Sequence, residues 1–131
     1  MIKSLNYELM KKLILLFVLL LSYPVFSQSK TVEIDVKGVC GMCKARIEKA
    51  ALKTKGVKYA QWSPETQKLS AIIDSKKTNI RTIAINISAV GHQASEFPVD
   101  NDVYNSLPLC CQYRDPNAKK MHKMDMKKSK N

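Results

Sequence analysis

Cys40-Gly41-Met42-Cys43 is the segment of this 131-residue chain best suited to chemistry. Two thiols three positions apart at the start of a helix can face one point. The unpaired N–H groups and positive dipole end there favour thiolate over thiol. Thiolate is the form that binds metals, and paired soft sulfurs select Cu(I), Zn(II) and similar thiophilic ions. Gly41 leaves the tight turn free of a side chain, and Met42 adds a thioether nearby.

Cys110 and Cys111 form a second, adjacent pair. Their Cα atoms are about 3.8 Å apart across a trans peptide, short of the roughly 4.4–6.8 Å of ordinary disulfides, so a bond between them is strained. They are candidates for chelating a second soft ion, for exchange with Cys40 or Cys43, or for pairing with another chain. The plainer alternative is an apolar clip in which Leu107, Leu109 and Tyr113 dock the segment and the thiols are spectators. Farther on, Met121, His122, Met124 and Met126 place three thioethers and an imidazole within six residues. Thioethers suit Cu(I) and form no disulfides. Six lysines against one aspartate in residues 118–131 repel cations, however, and the stretch reads as a disordered basic tail.

The elements around Cys40 and Cys43 follow from periodicity. Residues 31–37 alternate, with Val32, Ile34 and Val36 on one face and charged or polar groups on the other, as in a half-buried strand. From Cys43 the period changes to helical, with Ile47, Ala50, Ala51 and Thr54 inward, and Gly56 suits the helix end. Residues 57–63 and 68–74 read as a hairpin about Pro64-Glu65-Thr66. Thr78 is placed to cap a second helix, residues 79–90, with Ile80, Ile83, Ala84 and Ile87 inward. Residues 92–99 complete the pattern as a short last strand. The predicted order β-α-β-β-α-β is that of an α+β, ferredoxin-like plait: a four-stranded antiparallel sheet with two helices on one face.

Composition narrows the class. Twenty-two basic against eleven acidic residues give a net charge of +11, and 45% hydrophobic content is ordinary globular material. Residues 1–12 are basic, and residues 13–21 are nine unbroken apolar residues. Val25 and Ser27 then suit the −3 and −1 positions of a processing site. This is the pattern of an export signal cleaved near Ser27/Gln28. The apolar run is shorter than the roughly 20 residues of a membrane span, so no stable insertion is expected after cleavage. The domains read as 1–27 signal, 28–99 folded domain, and 100–131 linker, Cys-Cys segment and tail. The mature chain is expected in the periplasm or outside the cell, where thiols face oxidising conditions. Ferredoxin-like nucleic-acid binders display aromatics on their central strands. Thr31, Glu33 and Asp35 stand there instead, so no nucleic-acid partner is expected. An acidic partner domain or loose attraction to anionic membrane accounts for the basicity.

Residues 36–48, with the element order, resemble the heavy-metal-associated domain family of copper chaperones, P-type ATPase metal-binding domains and the periplasmic mercury-binding protein. The family motif is Gly-Met-x-Cys-x-x-Cys. Cys40 and Cys43 fall on its two ligands, while Gly38 stands at its Met position and Lys37 at its Gly. The resemblance implies a non-enzymatic carrier of a thiophilic ion, Cu(I) foremost with Zn(II) and Hg(II) as alternatives, which passes its cargo by ligand exchange. The recipient would be a metal-transporting ATPase, an efflux system or another metal-binding domain, and a shared ion would bridge two copies into a dimer. In the family's plait the loop holding His92 lies beside the metal loop. His92 is therefore either a third ligand or gate, or a loop histidine bonded to nearby backbone. A thiol–disulfide oxidoreductase and an interaction module with a structural Cys40–Cys43 disulfide are the competing readings. The first would also use Cys-Gly-x-Cys at a helix start.

Overall fold

The computed structural model describes residues 2–21 and 28–128, the side chains of His122, Asp125, Met126 and Lys128 excepted. The expected processing motif at residues 25–27 lies outside the described residues. Helix α1 (Ile2–Leu21) is exposed along its whole length. Strand β1 (Ser29–Asp35) is followed by α2 (Gly41–Lys53), β2 (Val57–Ser63), β3 (Lys68–Asp74) and α3 (Ile80–Ser88). The sheet is antiparallel with strand order β1-β3-β2. Val32 and Ile34 of β1, Ala60 and Trp62 of β2, and Leu69, Ala71 and Ile73 of β3 are buried. Helix α2 packs against β2 and α3 against β1, with the two helices touching. Ile47, Ala50 and Ala51 of α2 and Ile83, Ala84 and Ile87 of α3 close the core.

Three expectations are corrected. The fourth strand does not form: among the described residues the sheet has three strands, and the segment 92–99 makes only isolated bridges, Val36 to Ala94 and Ala94 to Phe97. Ser95 adopts a left-handed φ of 51°, and the Phe97 N–H turns back to the Ala94 carbonyl. Pro98 has no N–H for a ladder. The pairing that survives, Lys37 N–H to Gln93 O and Ser95 N–H to Asp35 O, holds the segment beside the end of β1. Helix α3 is capped by Asn79, not Thr78: the Asn79 carboxamide oxygen accepts the Thr82 N–H at 3.0 Å. Asparagine is the stronger cap by preference, and Thr78 is buried instead. With Asn79 as the cap, Ile80 is the first helical residue and, contrary to the inward position expected for it, is exposed.

The third correction concerns the C-terminal part. The residues expected as linker and disordered tail form helix α4 (Asn101–Asn105), a 3₁₀ turn (Leu109–Cys111) and helix α5 (Pro116–Lys128). Each start has a local cause. The Asp100 carboxylate accepts the Asp102 N–H at 2.8 Å, and the Asp115 carboxylate accepts the Asn117 N–H at 2.8 Å. Pro116 occupies the first helical position, where a missing N–H costs nothing. Ala118 is fully buried, giving the cationic helix an apolar foothold.

Candidate metal centre

Cys40 is the N-cap of α2, with extended backbone, and its Sγ accepts the Cys43 N–H at 3.4 Å. Sulfur here does the capping that a hydroxyl or carboxylate oxygen usually does. Helix α2 thus begins at Gly41, two residues before Cys43, from which its apolar period runs, with Cys40 at its cap and Cys43 in its first turn. Cys43 is fully buried, with its Sγ 3.5 Å from the Val39 N–H and 3.2 Å from Cys40 Sγ.

The two thiols differ in acidity. Burial opposes ionisation of Cys40, but contacts from the Cys43 side chain and N–H, from Cys111 and from the Met42 N–H outweigh it, and its pKa is lowered. Burial dominates at Cys43 and holds its thiol up. The pKa of Cys111 is raised far more, first by burial and then by sharing a site with Cys43 and Cys40. Cys40 is accordingly the first of the three to become thiolate, the form a soft ion needs.

The loop leading into α2 is held by its carbonyls. Val36 O accepts the Trp62 indole N–H at 3.0 Å, Lys37 O meets His92 Nδ1 at 2.9 Å, and Gly38 O accepts the Gln67 carboxamide. The three side chains come from β2, from the segment after α3 and from the β2–β3 turn. Lys44 and Glu48 of α2 pair at 2.7 Å, and they clamp both backbone groups of Trp62 at 2.8 Å. Gly38 has a packing reason. A Cβ there would lie 2.9 Å from the Trp62 ring and 3.1 Å from the Cys43 Cβ.

The segment 107–113 is strapped across this loop. Leu107 is buried against Gly91, whose φ of +100° admits no ordinary side chain. Tyr113 Oη accepts the Gln93 N–H at 3.0 Å and donates to Gly91 O at 3.1 Å. Its ring stacks on His92 at 5.6 Å and meets Tyr104 edge-on at 5.2 Å. This docking brings Cys111 Sγ to 3.5 Å from Cys40 Sγ and Cys110 Sγ to 4.0 Å from Cys111 Sγ. Cys110 also approaches the Met42 thioether at 3.6 Å. All four cysteines are free thiols. The ligand atoms of Cys40, Cys110 and Cys111 lie within 4.8 Å of one another.

The structure therefore brings Cys40, Cys43, Cys110 and Cys111 together, with Leu107 and Tyr113 holding the second pair in place, whereas Leu109, expected in the same clip, is exposed. His92 does not join them. Its Nδ1 is committed to Lys37 O, and its Nε2 is buried with no partner among the described residues. Met121 and Met124 are exposed on α5, and the side chains of His122 and Met126 lie outside the described residues. Trp62, Gln67 and Tyr113 position the site and carry no metal-ligand signature. Tyr113 is legible as part of the apolar clip, and Trp62 as a lone tryptophan in a strand; Gln67 offers no signal.

Burial lowers the His92 pKa, the Lys37 carbonyl contact opposing this, so the ring is neutral in the fold. The unfolded chain binds the proton first. Stability should then be full above about pH 6.5 and decline below it until the folded pKa is passed. Urea midpoints measured between pH 7.5 and 5 check this: a His92→Phe variant, which keeps a stacking ring, should lose part of the slope. An unchanged slope refutes it.

No family model and no curated protein matches the chain. Solved structures do. The copper chaperone of Enterococcus hirae in its apo form is 33% identical, with 48% of this chain and 94% of that one covered and a TM-score of 0.46. The CopZ metallochaperone is 26% identical over 50% and 98%, with a TM-score of 0.48. Oxidized MerP from Ralstonia metallidurans CH34 is 26% identical over 51% and 94%, with a TM-score of 0.49. In its Cys40–Cys43 motif and the order of its elements, the chain resembles the heavy-metal-associated family. Its similarity to these structures covers about half its length.

Proposed function

We propose that this chain is an exported metal carrier that binds a thiophilic ion, Cu(I) foremost, at Cys40 and Cys43 and hands it to a partner by thiolate exchange. It acts by binding, not by catalysis. One observation carries the reading: free thiols converge at the N-terminus of α2, where the first-turn N–H groups and the helix dipole favour thiolate. Rigid support of the loop through three carbonyls suits a site that must keep its shape between loading and release. Lys37, Lys119 and Lys123, against the single carboxylate of Glu65, line a cleft beside Val39. Such a rim fits an acidic recipient, such as the metal-binding domain of a transporting ATPase or an efflux system.

Anaerobic titration of Cu(I) against a competing chelator, under reductant, tests the carrier. One tightly bound equivalent is expected, and none would sink the reading. Export is supported by the basic start and apolar run of α1, which packs into no core. Among the described residues no helix is long and apolar enough to cross a membrane. Mass spectrometry of the chain recovered from expressing cells should place its start at Gln28. Recovery of the uncut chain alone would count against export.

A further inference from the structure

Packing unrelated to sulfur carries Cys110 and Cys111 to the metal loop. Leu107 seats on Gly91, and the Tyr113 hydroxyl bonds both Gln93 and Gly91, so the strap between them has a fixed place. Three thiols meet as a result: the sulfurs of Cys40, Cys110 and Cys111 all lie within 4.8 Å of one another. Cys40 and Cys111 are 3.5 Å apart, and Cys110 and Cys111 are 4.0 Å apart. Metal–sulfur bonds of about 2.3 Å hold sulfurs about 3.8–4.0 Å apart around a tetrahedral or trigonal ion, but about 4.6 Å apart around a linear one. Both of these edges lie nearer the first spacing than the second. The set also has an inside and an outside. Cys40 and Cys111 are buried, while Cys110 is half-buried, its Sγ 3.6 Å from the thioether of Met42, which is 53% exposed. A soft ion arriving from solvent thus meets Met42 and Cys110 first.

We propose that the docked strap completes a three-thiolate metal site, the ion's ligands being Cys40, Cys110 and Cys111, with Met42 at the entrance. The inference rests on the metal-carrier reading and adds to it a coordination number and two ligands from the far end of the chain. On loading, three metal–sulfur bonds form and the protons still on the thiols leave to solvent. The ion keeps its charge and no electron moves. Cys40 belongs both to this set and to the Cys40–Cys43 pair, whose sulfurs are 3.2 Å apart. A chain without the strap thiols therefore still has that pair to bind with. In the wild type a partner's thiolate must compete with Cys110 and Cys111 instead of entering an open coordination position.

The test loads the full chain with Cu(I) anaerobically and counts sulfur neighbours by X-ray absorption. Three are expected in the wild type; two would overturn the proposal and leave the carrier standing. Cys110→Ser/Cys111→Ser should fall to two, and a count still at three would overturn the strap's part. Cys43→Ser should keep all three, and a fall to two there would make Cys43 a ligand and overturn the set. Cys110 is half-buried, so Cys110→Ser alone, also expected at two, decides the matter if a buried substitution disturbs the fold. In chelator competition the strap double variant should bind Cu(I) at least about tenfold more weakly, the low end of what losing even a supporting group costs a metal site. Binding as tight as the wild type would overturn the proposal. A wild type that takes up no Cu(I) would overturn both readings.

Discussion

Cys40→Ser/Cys43→Ser should weaken Cu(I) binding by about 10³-fold or more, which is about 4 kcal/mol. Cys40 touches both Cys43 and Cys111, so its loss removes the acidified thiol and both of these sulfur contacts at once. What remains is Cys110 and Cys111, whose sulfurs are 4.0 Å apart and have no helix terminus behind them. Serine keeps the volume and a capping oxygen, so the helix start should survive. Circular dichroism run beside chelator competition separates a lost site from a lost fold. Binding retained at wild-type strength by a folded variant would remove Cys40 and Cys43 from the site and shift attention to the Met/His segment of α5.

Trp62→Ala should cost about 3–5 kcal/mol in unfolding free energy, in the range for truncating a large buried aromatic. Trp62 is fully buried and forms the floor between β2 and the metal loop. Its removal leaves the Val36 carbonyl without its indole donor and opens a void against Gly38 and Cys43. Trp62→Phe separates the two effects. It keeps most of the packing and loses the hydrogen bond, for which the cost of an unsatisfied buried carbonyl is about 1–3 kcal/mol. Chemical denaturation of the three proteins measures both terms. Because the loop loses its support, Cu(I) release should also quicken in the alanine variant. A loss under about 1 kcal/mol would mean that the surrounding core collapses into the space.

Local patterns made much of the fold legible. The alternation of Val32 and Ile34, the helical spacing of Ile47, Ala50 and Ala51, and the hairpin between two seven-residue strands all appear in the structure. These elements are short-range consequences of period and propensity. The failures also have local physical causes. Ser95 turns the chain where a strand was expected, and Asn79 outcompetes Thr78 for the cap. The C-terminal part is helical where disorder was expected because Asp100 and Asp115 cap its helices and Ala118 is buried, local features that its net charge outweighs in composition.

Sequence by itself determined the Cys-x-x-Cys pair, its place between the first strand and first helix, and therefore the class of ion that could bind. Position in the chain is enough for that, since residues three apart at a helix start are neighbours in any fold. Only tertiary structure decided that Cys111, 71 positions beyond Cys40, would reach it, and that Trp62, Gln67 and His92 would each hold one carbonyl of the loop. The apolar residues of the strap were legible, but where Tyr113 and Leu107 seat it, against Gly91 and beside Cys40, is a long-range packing outcome that local spacing does not encode.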